Sequence, residues 1–273
     1  MGNTWLGVDL TIRPSGYTRL PRKPMTCAGA APVLVKPAHR VQYRWVIKKL
    51  PVKTERIAAM SSRDMMIYAA VSSLVWVGFY YGYLFLKLKN DMLGYEWFFL
   101  AVSATNVILD KAGVFGFSAY VWHYLDTFSK LFGVTVIGAI GLMKVTHNFE
   151  LSNGKEILVF VVALVLSYGF ETLDFMRAAL PVASMLAAVL FLIFCGYIVQ
   201  QAFKYKLILH GWLMIVLIVL NLFVAAIQDF MVLPNEDTAI FFNKWVIETL
   251  AWSLIFAEIF YVYRDLVRKK GIA

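Results

Sequence analysis

Residues 65–86 read MMIYAAVSSLVWVGFYYGYLFL and contain no charged side chain. At about 1.5 Å of rise per residue, a helix of this length reaches ~33 Å. That is enough to cross a hydrocarbon core about 30 Å thick. The stretch is apolar throughout, without the strict alternation of a lipid-facing β-barrel strand. A helix satisfies its own backbone hydrogen bonds, which lipid requires. Residues 65–86 therefore read as a transmembrane helix.

The same pattern continues to the end of the chain. Apolar runs over 65–87, 96–115, 118–144, 156–174, 178–203, 208–232 and 239–263 are separated by short polar breaks. These breaks are Lys87 to Asp91, Lys111 to Gly113, His147 to Lys155, Arg177 to Pro181, Lys204 to Lys206, and Pro234 to Asp237. The expected fold is all-α, a polytopic bundle of about seven transmembrane helices. The connections near 110–120 and 174–180 are very short, so a six-helix count with one bent element stays open. No internal repeat is visible, which argues against an inverted-repeat transporter.

Composition agrees. The chain is 60% hydrophobic and 16% charged, with a mean hydropathy of +0.69. Soluble domains carry about 25% charged residues. The net charge of +9 belongs to residues 1–63, where twelve Lys/Arg face only Asp9 and Glu55; of the 26 basic and 17 acidic residues, the rest of the chain is left with 14 and 15. Nothing in the helical body suggests nucleic-acid binding. Six of the eight prolines also lie in 1–63, which reads as an irregular, basic N-terminal segment. It fits a targeting segment, an arm attracted to anionic lipid, or a stretch upstream of a true start at Met60. Cys27 and Cys195 have no metal or redox spacing, and Cys195 reads as a packing residue.

Basic residues at the loop ends set an expected orientation. Lys87, Lys89, Lys144, Lys155, Lys204, Lys206, Arg264, Arg268, Lys269 and Lys270 fall on one side; Lys111, Arg177 and Lys244 fall on the other. The C-terminus is expected in the cytoplasm. The basic N-terminal segment opposes this unless it is removed. The plasma membrane is the expected residence, with an organelle as the alternative if residues 1–63 are a targeting segment.

Ionisable groups inside a membrane are costly, about 2.5–3.5 kcal/mol at mid-helix on insertion scales, and call for a reason. Here they gather in the expected outer half. Asp110 and Lys111 end the second helix; His123, Asp126 and Lys130 share one face of the third. Glu171 and Asp174 end the fourth, followed by Arg177, and Asp229 ends the sixth. Glu248 lies near the outer end of the seventh helix and Glu258 lies deeper. His123, Asp126, Glu171, Asp174, Asp229, Glu248 and Glu258 are the candidate binding or ion-pathway residues. The bland reading is that the interfacial acids reach water and that Asp126–Lys130 and Asp174–Arg177 are structural ion pairs. His147 and His210 flank the other ends of the helices and read as loop residues. Carboxylates suit a hard cation, and an imidazole at His123 suits a transition metal; a metal or other cofactor is otherwise left unknown.

Trp122-His123-Tyr124-Leu125-Asp126 resembles the Arg-Tyr-x-Asp stretch of the microbial rhodopsins, with His123 in place of the arginine. Glu248 to Trp252 is similar to that family's Asp-x-x-Ala-Lys segment, but Trp252 stands where the retinal lysine belongs. No Schiff base can form, and the family's aromatic signature is missing from His210 to Met231. The family is not assigned.

Three functional readings follow. The first is a channel or carrier for a proton, a cation or a small basic solute, using the acidic cluster. The second is a seven-helix sensor acting through a cytoplasmic partner. The third is a non-catalytic subunit of a membrane complex or homo-oligomer. No phosphate loop, HExxH, GxSxG or CxxC calls for an enzyme.

Overall fold

The computed structural model describes residues 61–230 and 243–271, the side chains of 228–230 excepted. Expectations for residues 1–60 and for the Pro234 break lie outside these residues. The described residues all fall in one compact unit.

Among the described residues, seven helices are long and apolar enough to cross a membrane: α1 (Ser62–Lys87), α2 (Asp91–Ala112), α3 (Ser118–His147), α4 (Asn153–Thr172), α5 (Asp174–Lys204), α6 (Ile208–Phe230) and α7 (Lys244–Lys270). No strand occurs among the described residues. The protein is an all-α, multi-pass integral membrane protein.

Local chemistry sets the helix limits. The Ser61 hydroxyl accepts from the Asp64 amide at 3.1 Å while the Asp64 carboxylate accepts from the Ser61 backbone amide at 3.4 Å, closing a capping box on α1. Asn90 caps α2 by accepting from the Leu93 amide, and Asn243 caps α7 by accepting from Trp245. Gly113 and Gly271 take left-handed conformations just past α2 and α7. The short connections resolve as genuine breaks: 113–117 separates α2 from α3, and a single extended residue, Leu173, separates α4 from α5.

Two expectations need correction. The break assigned to Arg177–Pro181 does not exist. Pro181 lies inside α5, which begins at Asp174. Proline removes one amide donor, and a transmembrane helix tolerates that where neighbouring groups adjust. The second and seventh helices also sit differently along the chain from their sequence-derived limits. α2 begins at Asp91 rather than 96, and α7 runs past Tyr263 to Lys270. Capping, not the first charge, decides where a helix stops.

α1 packs along α2 and α7, α6 along α5 and α7, and α3 along α2, α4, α5 and α7. The α1–α2 contact is the closest. A Cβ on Gly78 would lie 2.7 Å from the Trp97 carbonyl, and one on Gly82 would lie 3.0 Å from that of Gly94. This small-x-x-x-small pair lets the backbones meet, the usual source of helix adhesion in lipid. Beside it, Phe85 meets Trp97 and Tyr263 edge-on at 5.1 and 5.3 Å, and Trp97 meets Phe256 at 5.2 Å. α4 is peripheral, with only Ala163 and Ser167 buried.

The middle of α3 departs from α-helix. Ser129–Ile137 is π-helical, and the Gly138 amide donates five residues back to the Gly133 carbonyl. Such stretches are rare and recur at functional sites.

Candidate functional site

Helix alternation places the starts of α3, α5 and α7 at one end of the bundle, the Asn243 end, and their finishes at the other, the Gly271 end. At the Asn243 end the first turns of α3 carry the expected charges. Asp126 pairs with Lys130 at 2.8 Å, and Lys130 reaches Glu248 of α7 at 3.6 Å. One basic group thus joins two acids from different helices. The three side chains are 39%, 29% and 17% exposed, so Asp126 and Lys130 are partly covered and Glu248 is mostly enclosed. The His123 ring stacks on Trp122 with centroids 3.6 Å apart, within electrostatic reach of Asp110, Asp126, Glu171 and Lys130. The Trp122 indole donates to Asp110 at 3.2 Å, and its ring meets Trp245 of α7. Thr127 donates to the Glu171 carboxylate at 2.5 Å, tying α3 to α4. The Arg177 guanidinium donates to the Glu171 backbone carbonyl.

The remaining candidates go elsewhere. The Asp174 side chain is fully exposed, with Arg177 4.0 Å away. Asp229 falls in the last turn of α6, and its side chain lies outside the described residues. Glu258 faces the Gly271 end. The seven residues therefore divide between two ends instead of converging on one cavity.

Around Glu258 a second cluster forms that sequence reading did not assemble. His210 Nδ1 lies 2.6 Å from Glu258 Oε1, and its Nε2 lies 3.4 Å from Asp265 Oδ2. Glu258 and Asp265 are seven residues apart on one face of α7, two helical turns, so a single imidazole spans both. The ring also stacks over Tyr261, whose hydroxyl accepts from Tyr81 of α1 at 3.1 Å. Arg264 holds the outer carboxylate, with Nε 2.8 Å from Asp265. His210 is not a loop histidine. His147 goes to a different place, bonded to Thr146 and stacked on Tyr197.

A third group was overlooked. Glu96 is 0% exposed, and its carboxyl has no charged partner among the described residues, only the Ser129 hydroxyl facing it. It lies about 7–8 Å inside the start of α2 by helical rise, beside Gly133 and Ser129 in the π-helical stretch of α3. Starting the second span at residue 96 placed this acid at the interface. The Asn90–Asp91 cap signal places it well inside. Asn90 itself is buried, donating to the Gly141 carbonyl at 2.8 Å and to the Tyr263 hydroxyl at 2.9 Å, which pins α2 to α3 and α7. A cavity of about 110 Å³ opens beside it at the Gly271 end, with Lys89, Asp91, Lys144, Glu150 and Glu156 in its wall.

Among the described residues, no group of three His, Cys, Asp or Glu side chains is arranged to hold a metal ion. No family model, curated protein or solved structure matches the chain. The membrane architecture is shown by the helices themselves.

Proposed function

We propose that the protein is a channel or carrier that moves protons or a small cation along the interior of its bundle. The supporting observation is where the costly groups lie. Ionisable side chains occur at three places inside the helix packing: Asp126–Lys130–Glu248 at the Asn243 end, Glu96 against the π-helical turn, and Glu258–His210–Asp265 toward the Gly271 end. Intramembrane ionisable groups that face a bundle interior are characteristic of ion and proton pathways. A purely adhesive set of helices needs none of them, because small residues and hydroxyl contacts such as Ser73–Ser253 already join α1 to α7.

The orientation that accompanies this reading puts the Gly271 end in the cytoplasm. The Lys144 ammonium donates to the Lys89 carbonyl and that of Lys270 to the Val145 carbonyl, so this end carries the basic loop residues together. Asp126 and Glu248 then face the outside and meet the incoming cation first.

The test is flux. The full chain, reconstituted in liposomes, is expected to dissipate an imposed proton or cation gradient. Replacing Asp126→Asn and Glu248→Gln together neutralises the two carboxylates that meet Lys130 and is expected to slow that flux at least tenfold. Flux indifferent to the double replacement would remove the reading.

A further inference from the structure

We infer that Glu96, packed against Gly133 in the π-helical turn of α3, is a proton-binding site, and that the ion taken up there is H⁺ and not a metal cation. This deepens the transport reading above and rests on it only for the pathway, not for the site.

The first ground is the state of the carboxyl. Both Glu96 oxygens are enclosed, and the polar group that faces them is the neutral Ser129 hydroxyl, not a charge. Buried charges in native proteins are paired or coordinated, and a bare carboxylate enclosed in a membrane bundle is the least tolerable case. Intramembrane acids of this kind are functional sites by default. The group must therefore be neutralised by something that fits beside it.

The second ground is space. The backbone of Gly133 lies directly against the carboxylate, and even the single carbon of an alanine there would overlap it. A dehydrated divalent ion needs six to eight oxygens at 2.0–2.6 Å. Ser129, one helical turn from Gly133, supplies one buried hydroxyl facing the carboxyl. One hydroxyl and one carboxylate do not make a coordination shell. A proton needs neither volume nor a shell: an O–H bond forms on one Glu96 oxygen when it arrives and breaks when it leaves.

The third ground is the surroundings. α1 and α3 pack against α2, and α7 touches it through Phe256 on Trp97. From α1 the residues at this level are Gly78, Tyr81 and Gly82; Tyr81 titrates, but its hydroxyl is donated to Tyr261. From α3, Lys130 follows Ser129 in the chain and is held by Asp126 and Glu248. That ion cluster lies only one to two helical turns from Gly133 along α3. The Ser129 hydroxyl, both donor and acceptor, lies at the level of that cluster, next to Lys130 in the chain, and faces Glu96. The irregular backbone falls at the residues that line this acid, consistent with non-helical main chain being tolerated where it surrounds a membrane site.

Infrared difference spectroscopy of the full chain in lipid at neutral pH, wild type against Glu96→Gln, tests the site directly. The expected result is a carboxylic-acid carbonyl band that shifts in D₂O and vanishes in the variant. Glu96→Gln is isosteric with the neutral acid, so unchanged thermal unfolding is expected to accompany it. A carboxylate band assigned to Glu96, or a marked loss of stability in Glu96→Gln, would overturn the inference. Liposome flux then separates this claim from the broader one. Loss of proton flux by tenfold or more in Glu96→Gln supports it. Sodium or potassium flux at fixed pH that depends on Glu96 overturns it while leaving transport standing. A Glu96 acid band with no flux of any ion refutes transport and leaves the proton site standing.

Discussion

The His210–Glu258 pair offers the sharpest energetic test of the interior chemistry. Its atoms are 2.6 Å apart, a charge-assisted length, and the two side chains are 23% and 6% exposed. The pair lies between the surface limit, where an ion pair contributes under about 1 kcal/mol, and the buried limit, where removing one partner costs roughly 3–5 kcal/mol. A hydrogen bond to a charged group contributes about 1.5–3 kcal/mol. A coupling of about 2 kcal/mol is therefore expected, which is roughly thirtyfold in an equilibrium constant. The cycle uses His210→Phe, which retains the ring over Tyr261, Glu258→Leu, and the two combined. Each single variant leaves a polar group facing an apolar one, the buried Glu258 in the first and His210 in the second. The double variant leaves neither, so its loss should be smaller than the sum of the single losses by the coupling energy. Reversible unfolding in mixed detergent micelles measures all four proteins. Additive losses, with coupling below about 0.5 kcal/mol, would show that the contact carries no energy and that Asp265, at 3.4 Å, already holds the imidazole.

Other perturbations test the frame around it. Gly82→Leu should separate α1 from α2, because the backbone of Gly94 leaves no space for the new side chain; a loss of several kcal/mol in micelle unfolding is expected, on the scale of overpacking, and wild-type stability would refute the close contact. Asn90→Ala removes the α2 cap and two interhelical bonds; at about 1 kcal/mol for the cap and about 0.6 kcal/mol for each membrane hydrogen bond, a loss near 2 kcal/mol is expected, and one under 0.5 kcal/mol would be inconsistent with it. Cysteines placed singly at Lys89 and Lys111 should react with an impermeant thiol reagent from opposite faces of the membrane, Lys89→Cys from the cytoplasmic one; the reverse result would invert the orientation.

The helices were legible because lipid demands long apolar stretches and the chain supplies seven of them. Their limits were less so. The second apolar run reads as beginning at residue 96, although Asn90 caps the helix at Asp91. Pro181 read as a break because its missing amide is visible in sequence, whereas the neighbours that tolerate it are not. The Asp126–Lys130 spacing could be read along one helix; Glu248 as the third member could not, since it arrives from α7. His210 and Glu258 are 48 residues apart, and no periodicity links them. The π-helical turn leaves no trace in SKLFGVTVI, an ordinary apolar sequence. Glu96 was in plain view and was lost only through the misplaced boundary.

The distribution of polarity ties these parts together. Phe175, Trp76, Leu190, Ile193 and Val165 are each more than 60% exposed, while Glu96 is fully enclosed and Glu258 nearly so. In water that arrangement would be inverted, with the oily side chains inside and the acids outside. In lipid it is the expected order for the apolar surface, but it gives no reason to place acids within. Helix adhesion does not explain them, since α1 already meets α2 through glycines and α7 through hydroxyls. Core volume does not explain Glu96 either, because a Leu or Gln would fill the space beside Gly133 without the difficulty of a carboxyl. A group that is costly to enclose, has no charged partner among the described residues, and lies against the one stretch where α3 abandons α-helical geometry is best understood by what a carboxyl does that those residues cannot, which is to take up a proton and release it.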